Sequence, residues 1–254
     1  MLGQYCVVIF VQCISCLSML CFCLDIMSGT TIKRNIILLT GDPGCGKTTL
    51  VQKVYQALLT SQVKVEGFYT SEVRAGGQRS GFDVVLLNDG GRGPLARVAY
   101  MEDKKREAKK REAKEKEADD VMLAIMEHEM AFRDDIYFQA RSTVPGPKVG
   151  KYTVDLKSFE SLVQPILTPE KLKVCQVLIL DEIGKMELFS KQFESSIQRI
   201  FQTSQVILAT VPTRGSYLVE QLKTQAGSNL IQVHHGNRDI LVEEIKNKLL
   251  LQIK

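Results

Sequence analysis

The chain has 254 residues, with 33 basic and 29 acidic side chains, and therefore carries a formal net charge of +4. An apolar share of 44% and a charged share of 24% are ordinary for a globular protein, and they exclude global disorder and a fibrous repeat. So small a charge does not indicate a nucleic-acid-binding protein, and no nucleic acid is expected as a partner.

The first 27 residues differ in composition from the rest of the chain. The run from Tyr5 to Leu24 is almost wholly apolar, and at about 20 residues it is just long enough to cross a bilayer as a helix. No basic residue precedes it, unlike in a secretory signal, and Met27 would make a natural start. We favour an extension without a role in function, such as an incorrect gene model adds. A membrane anchor with a cytoplasmic body and a cleaved signal stay open, and a membrane is expected as a partner only for the anchor.

The cysteine distribution indicates a reduced compartment. Five of the seven cysteines fall within the first 23 residues, which leaves Cys45 and Cys175 for the remainder. A disulfide framework would distribute its bridges through the fold, so we expect a cytoplasmic protein.

From residue 28 onward, short apolar runs alternate with amphipathic segments. The pattern predicts strands at 36–40, 63–73, 82–87, 150–155, 174–180, 206–211 and 230–233, and helices at 46–60, 158–167, 187–201, 217–224 and 239–251. Near-continuous apolar strands that alternate with helices predict an α/β fold, in which a mostly parallel sheet carries helices on both faces. The hairpin-like middle, 63–99, is expected to add antiparallel strands at one edge.

A charged insertion interrupts this predicted 28–254 domain at residues 101–145. Lys104 to Ala118 repeats KKREA-KKREA-KEKEA, which is rich in helix formers but has no apolar stripe. Acidic and basic residues are interleaved almost one for one, which disfavours contact with RNA. We therefore expect a solvated insertion, helical or disordered, that the fold does not need.

A phosphate-binding loop follows the first predicted strand. Its eight residues fit the pattern G-x-x-x-x-G-K-[ST] and are Gly41, Asp42, Pro43, Gly44, Cys45, Gly46, Lys47 and Thr48. Glycines let backbone N–H groups turn toward phosphates, and the start of the following helix adds a positive dipole end. Lys47 is expected to reach the β- and γ-phosphates, and Thr48 to ligate Mg²⁺.

Two carboxylates end a later apolar strand, Val177-Leu178-Ile179-Leu180. Ligands of parallel α/β sheets bind at the carboxyl ends of the strands, so Asp181 is expected to hold Mg²⁺. Glu182 is the candidate general base that activates water. The segment Asp181 to Gly184 also fits the D-x-x-G of regulatory GTPases, but no N-K-x-D segment for guanine accompanies it.

With these motifs the chain resembles the cancer-related nucleoside-triphosphatase family, the P-loop proteins similar to a thermophile nucleoside-triphosphatase. The matching segments are GDPGCGKTTL (41–50), GFYTSEVRAGGQRSGFDVV (67–85), RGPLARV (92–98), GKYTVDLKSFE (150–160) and LILDEIGKMELFS (178–190). The extension at 1–27 and the insertion at 101–145 are not typical of that family.

The resemblance implies a Rossmann-like P-loop NTPase domain that hydrolyses ATP, GTP and other triphosphates, including CTP and UTP, to the diphosphate and phosphate. Mg²⁺ is the implied cofactor, and we expect a monomer. Nucleotide contacts are implied along two segments, which comprise Gly41 to Thr48 with Thr49, and Val177 to Leu180 with Asp181, Glu182, Ile183 and Gly184.

Two other functions stay open at this stage. A small-molecule or nucleotide kinase would need an arginine-bearing lid and an acceptor pocket, and Glu182 beside Asp181 favours water as the acceptor. A non-catalytic nucleotide-binding scaffold is disfavoured because Lys47, Thr48 and both carboxylates are intact.

Several weaker candidates complete the set. Asn237-Arg238 resembles a pair of the family, which implies a place near the base; alternatively the segment starts a helix, with Asn237 or Asp239 as the cap residue. Lys185 is either a phosphate ligand or a surface lysine, and His234-His235 is expected to be a surface pair. Four arginines could each supply positive charge to a triphosphate: Arg74, Arg79, Arg92 and Arg97.

Overall fold

The structure is a computed structural model that describes residues 35–99, 141–142 and 145–253. All of these lie in one compact unit that spans Arg34–Lys254. The predicted N-terminal extension and nearly all of the predicted charged insertion lie outside the described residues. Within the described ranges, no helix is long and apolar enough to cross a membrane.

Ten strands and six α-helices make up the described part of the chain. The strands are β1 (Asn35–Thr40), β2 (Val65–Ala75), β3 (Gln78–Leu86), β4 (Arg92–Ala99), β5 (Arg141–Ser142), β6 (Lys148–Val149), β7 (Tyr152–Val154), β8 (Val177–Asp181), β9 (Val206–Thr210) and β10 (Ser228–Gln232). The helices are α1 (Lys47–Thr60), α2 (Leu156–Ile166), α3 (Pro169–Val174), α4 (Lys191–Ile200), α5 (Tyr217–Thr224) and α6 (Leu241–Leu250), and a short 3₁₀ helix covers Glu187–Phe189.

The strands form one mixed sheet in the order β10-β1-β9-β8-β2-β3-β4-β7-β6, with β5 paired to β4. The five strands from β10 to β2 are parallel, so their carboxyl ends meet at one edge. The pairs β2–β3, β3–β4, β4–β7 and β6–β7 are antiparallel. The predicted parallel sheet with an antiparallel part is therefore confirmed.

The core has two layers, one on each face of the sheet. Ile36 and Leu38 of β1 belong to one buried cluster, whereas Ile37 and Leu39 belong to the other. The first layer is completed by α2, α4 and α5, and the second by α1 and α6. Helices on both faces explain why the parallel strands are apolar along their whole length.

Several elements differ from the sequence-based prediction, which gave no separate strands for β4, β5 and β6. The single helix predicted at 187–201 is divided at Ser190, whose hydroxyl accepts a hydrogen bond from the Phe193 N–H and so starts α4 anew. The strand predicted at 82–87 begins earlier, at Gln78, because Gly76 and Gly77 form a tight turn with positive φ. Helix α3, which has proline at its first position, was not predicted.

Candidate active site

The phosphate loop, residues 41–48, connects β1 to α1 at the carboxyl edge of the parallel strands. All three glycines of the loop have positive φ, 153° at Gly41, 80° at Gly44 and 99° at Gly46, a backbone conformation that is costly for a residue with a side chain. At Gly41 space is a further reason, because a Cβ atom would lie 2.3 Å from the Val233 carbonyl oxygen. The loop therefore needs glycine at each position where the motif has it.

The start of α1 is open to an anion. Gly46 is the N-cap residue, no side chain caps the helix, and its first turn contains no acidic residue. Lys47 folds back over the loop, where its Nζ donates hydrogen bonds to the carbonyl oxygens of Gly41 (2.8 Å) and Asp42 (3.2 Å). Backbone N–H groups and a lysine ammonium thus share one small region, which is the chemistry that phosphates require.

Asp181, the last residue of β8, is fully buried at the same edge. The Thr210 hydroxyl at the end of β9 donates to Asp181 Oδ1 at 2.5 Å. Burial raises the pKa of Asp181, while hydrogen bonding by Thr210 and Thr48 and the charge of Lys47 act in the opposite direction. The two predicted metal ligands, Thr48 and Asp181, are therefore brought together.

The side chains of Thr48 and Asp181 have the chemistry that an Mg²⁺ site requires. The buried Asp181 Oδ2 has no hydrogen-bond partner within the described residues, although a buried carboxylate oxygen ordinarily has one. Hard oxygen donors, such as a carboxylate and a threonine hydroxyl, are the protein ligands that Mg²⁺ prefers, and it usually takes only one or two of them.

Glu182 follows at the beginning of the turn that leaves β8. Burial raises the pKa of its carboxyl group, and the charge of Asp181 raises it further, while Lys47 lowers it. The charge of Lys47 thus lowers the pKa of both Asp181 and Glu182. The two predicted catalytic residues, Lys47 and Glu182, are therefore close enough to interact electrostatically. A carboxylate with a raised pKa is a stronger base than an ordinary surface carboxylate.

The remaining predicted nucleotide-binding residues lie in different environments. The side chains of Val177, Leu178, Ile179 and Leu180 are fully buried in the two core layers, so they position the strand rather than face a ligand. Ile183 is also buried, and its N–H donates to the Thr210 carbonyl oxygen at 2.9 Å. Asp42, Pro43, Gly44 and Thr49 are exposed, whereas Cys45 is buried below the loop.

A further acidic residue, Glu187, was not predicted as part of the site. It begins the 3₁₀ helix, only 4% of its surface is exposed, and its Oε2 accepts a hydrogen bond from the Gly184 N–H at 3.1 Å. Burial and the charges of Glu182 and Asp181 raise the pKa of Glu187 to about 8. The signal in the sequence was its setting, a lone acidic residue between apolar neighbours, Met186 and Leu188.

We call residues 181–187, which carry these three carboxyl groups, the acidic turn. Its single exposed side chain is Lys185. Gly184 is buried within it, and a Cβ atom there would meet side-chain oxygens of both glutamates.

Of the weaker candidates near residue 238, Arg238 lies at the phosphate loop and Asn237 does not cap a helix. Arg238 packs against the phosphate loop, since a Cβ atom on Gly46 would lie 2.9 Å from its Nη1. The expectation that Asn237 or Asp239 caps a helix is wrong, because the N-cap of α6 is Ile240, without a side-chain cap. Asn237 instead closes its loop by accepting from the His234 N–H and donating to the Gln232 carbonyl oxygen.

The four arginines have partners within the antiparallel part of the sheet. Arg74 and Arg79 form ion pairs with Glu72, and Arg92 and Arg97 form ion pairs with Asp83. His234 and His235 are exposed, as expected. Within the described ranges, no group of three or more potential ligand residues suggests another metal site.

An open cavity of about 730 Å³ lies beside α1. Thr49, next to the predicted metal ligand Thr48, and Tyr69, which pairs with Asp181 in the sheet, mark its end near the phosphate loop. Its wall continues along α1 to Tyr55, whose hydroxyl donates to the Leu87 carbonyl oxygen at 2.5 Å. The cavity therefore adjoins the candidate active site on the side of β2 and β3.

Two stretches of the chain, residues 36–138 and 133–246, match a family model described as NTPase. The chain is 36% identical over 217 residues to the cancer-related nucleoside-triphosphatase of Homo sapiens, which covers 82% of this chain and 93% of the human protein. It is 31% identical over 221 residues to nucleoside-triphosphatase THEP1 of Aquifex aeolicus, covering 84% and 98% respectively.

Two solved structures are similar as well. A solution structure of a human cancer-related nucleoside triphosphatase matches with a TM-score of 0.59 and 34% identity, over 87% of this chain and 100% of that one. The crystal structure of THEP1 from Aquifex aeolicus matches with a TM-score of 0.58 and 29% identity, over 82% and 95%. These matches confirm the P-loop NTPase fold.

Proposed function

Because the chain belongs to the NTPase family, we propose that it hydrolyses nucleoside triphosphates to the diphosphate and phosphate, with Mg²⁺ as cofactor and Glu182 as the general base. The names of the relatives support the hydrolytic activity. The assignment of individual roles rests on the chemistry of this chain's own residues.

One observation carries the proposal. Lys47 lies close enough to Asp181 and Glu182 to affect both, at the start of α1, where no side chain caps the helix. Lys47 influences the pKa values of both Asp181 and Glu182. Its Nζ uses two of its three donor hydrogens on Gly41 and Asp42. A donor therefore remains for a phosphate oxygen, at a position that two carboxyl groups also influence.

Hydrolysis at this site transfers the γ-phosphoryl group to water. Glu182 takes a proton from the water whose oxygen bonds to the γ-phosphorus. The bond from that phosphorus to the β,γ-bridging oxygen breaks, and its electron pair leaves with the diphosphate. Lys47 and the backbone N–H groups at the start of α1 stabilise the charge on the transferred group and on the leaving oxygen.

Thr48 and Asp181 would hold the Mg²⁺ ion. When bound, such an ion neutralises phosphate charge and helps to align the triphosphate. Thr210 orients the Asp181 carboxylate through Oδ1, which leaves Oδ2 as the oxygen available for coordination. Arg238, which packs on Gly46, is the cation placed best to meet the rest of the nucleotide.

A second candidate is phosphoryl transfer to a small acceptor, and the cavity beside α1 favours it. That cavity adjoins Thr49 and Tyr69 and has room for a small molecule. Glu182 would then take the proton of an acceptor hydroxyl rather than that of water. Hydrolysis remains the first candidate because of the family to which the chain belongs.

The test is phosphate release by the full chain with ATP, GTP, CTP and UTP in turn. We expect one phosphate and one diphosphate for each triphosphate consumed, and no release once a chelator removes Mg²⁺. A kinase would release little phosphate alone and would transfer it rapidly once nucleosides, nucleotides or small metabolites were added. Tight binding of triphosphate without either reaction would contradict both candidates and indicate a scaffold.

A further inference from the structure

Gly184 lies at the point where two glutamate side chains converge. A Cβ atom at this position would lie 2.6 Å from Glu182 Oε1 and 2.9 Å from Glu187 Oε2. The Gly184 N–H donates to Glu187 Oε2, so the second glutamate fixes the backbone of the acidic turn. The carboxyl group proposed as the base therefore has a buried carboxyl group as a near neighbour.

The surroundings of Glu187 disfavour a second negative charge. Its pKa of about 8 reflects burial first and then the charges of Glu182 and Asp181, while backbone hydrogen bonds from Glu187 and Gly184 act in the opposite direction. On the neighbouring helix α2, the carboxylate of Glu160 accepts from the Ser190 hydroxyl at 2.6 Å. Lys185, in the same turn, is exposed. Glu187 is therefore mostly neutral near pH 7.

We propose that Glu187 is a positioning residue, whose carboxyl group fixes the backbone of the acidic turn at Gly184 and thereby keeps Glu182 beside the phosphate loop. This inference rests on the proposed role of Glu182 as the general base. Glu187 itself takes no proton from substrate or water in the reaction.

Ionisation of Glu187 has a specific consequence for turnover. A buried carboxylate next to Glu182 is accommodated only when the turn opens and one of the two groups moves toward water. Either movement displaces the base from the attacking water. Turnover of the full chain should therefore decline above about pH 8.

The experiment compares pH–rate profiles of the full chain and its Glu187→Gln variant from pH 6 to pH 10, with MgATP at saturation. In the parent, turnover at pH 10 should be at least about tenfold below its value at pH 7, as one ionisation produces. Glu187→Gln keeps an acceptor for the Gly184 N–H but cannot ionise, so this alkaline decline should disappear. Glu187→Met cannot ionise and also lacks the acceptor, so its profile should be equally flat with lower turnover throughout.

Glu160→Gln is the matched control, because it changes a half-buried carboxylate on α2 that accepts a hydrogen bond from Ser190, just after the 3₁₀ helix that Glu187 begins. Its profile should keep the alkaline decline of the parent. An alkaline decline that persists in folded Glu187→Gln and Glu187→Met proteins would overturn the proposal. Glu182→Gln separates this failure from that of the proposed function, since undiminished turnover in that variant removes the general base whatever the Glu187 profiles are.

Discussion

The phosphate loop and the acidic turn lie at the same edge of the sheet, yet they are built in opposite ways. The phosphate loop is exposed at Asp42, Pro43 and Gly44, and its features are glycine conformations, backbone N–H groups and the Lys47 ammonium. The acidic turn is largely buried, and it works through carboxyl side chains whose pKa values are all raised. One segment supplies positive charge without a large desolvation cost, whereas the other holds acidic groups away from water.

In the proposed function, this difference suits the phosphate loop to holding the triphosphate and Glu182 of the acidic turn to taking a proton. Groups that meet a highly charged, hydrated triphosphate are accessible and need only the right backbone shape. Groups that abstract a proton near neutral pH need a raised pKa, and burial beside like charges provides it. The comparison predicts that substitutions in the two segments differ in their effects on turnover, on the Mg²⁺ requirement and on the pH dependence of stability.

Among changes to the phosphate loop, the largest effect is expected from Lys47→Ala, which removes its side-chain cation. Turnover should fall by about 10²–10³, the usual cost of losing a contact to charge that develops in the reaction. The fold should survive, because the hydrogen bonds described for this side chain go to loop carbonyls, those of Gly41 and Asp42, and the side chain is not part of either core cluster. Phosphate release and thermal unfolding measured together check both points.

Lys191→Ala serves as the control for that change, because Lys191 is 84% exposed and pairs only with Glu194 on α4 among the contacts described. It should leave turnover within about twofold, as surface ion pairs contribute little. Near-normal hydrolysis by a folded Lys47→Ala protein would remove Lys47 from the mechanism.

Asp181→Asn should act on the metal requirement before anything else. The amide is a weaker ligand for a hard cation than a carboxylate, so half-maximal turnover should need at least about tenfold more Mg²⁺. A titration of turnover against Mg²⁺ measures this shift. Asp89→Asn, at an exposed turn where the side chain accepts from the Gly91 N–H, is the control and should leave the titration unchanged. An Asp181→Asn curve that matches the parent would argue against coordination by this residue.

The acidic turn should also make folding stability depend on pH. The pKa of Glu187 rises from 4.5 to about 8 on folding, so the unfolded chain releases this proton first. The stability gained from the neutral group is complete below pH 4.5 and is lost as the pH rises toward 8. The slope is at most about 1.4 kcal/mol per pH unit for one proton. Urea unfolding at several pH values should show a flatter dependence for Glu187→Gln than for the parent, and equal slopes would contradict the assigned pKa.

The smallest effect is expected from the charged insertion. Replacing residues 101–140 of the predicted 101–145 insertion, which keeps β5 and its pairing with β4, by a short Gly/Ser linker should change the unfolding temperature and phosphate release little, because the repeat has no apolar stripe. Changing the length of a surface loop twofold costs only about 0.6 kcal/mol. Loss of either stability or turnover would mean that the insertion packs on the domain or takes part in catalysis.

The sequence was sufficient for features that depend on local chemistry. The phosphate loop was predictable because its backbone needs glycine at fixed positions, and the motif specifies glycine at those positions. The β8 carboxylates were predictable because a parallel sheet gathers the carboxyl ends of its strands. Periodicity likewise predicted most helices and strands of the parallel half.

Features that depend on distant contacts were not predictable in the same way. Ser190 divides a predicted helix because its hydroxyl caps α4. The apolar periodicity of 187–201 continues across Ser190, so it does not reveal this break. Glu187 joins the site only once β8 and the 3₁₀ helix bring it back toward Gly184. The ion pairs of Asp83 with Arg92 and Arg97 depend on the register of β3 and β4, which the sequence alone does not specify.

The most direct test of the account is Glu182→Gln, studied for binding and turnover in the same preparation. Fluorescent triphosphate titration should give an affinity within about threefold of the parent, because the proposed phosphate and Mg²⁺ contacts remain. Turnover should fall by about 10²–10⁴, the scale of a lost general base. Glu194→Gln, which changes a carboxylate paired with Lys191 on α4, should match the parent in both measurements. Unchanged turnover in Glu182→Gln would contradict the central claim that this carboxylate activates the attacking water.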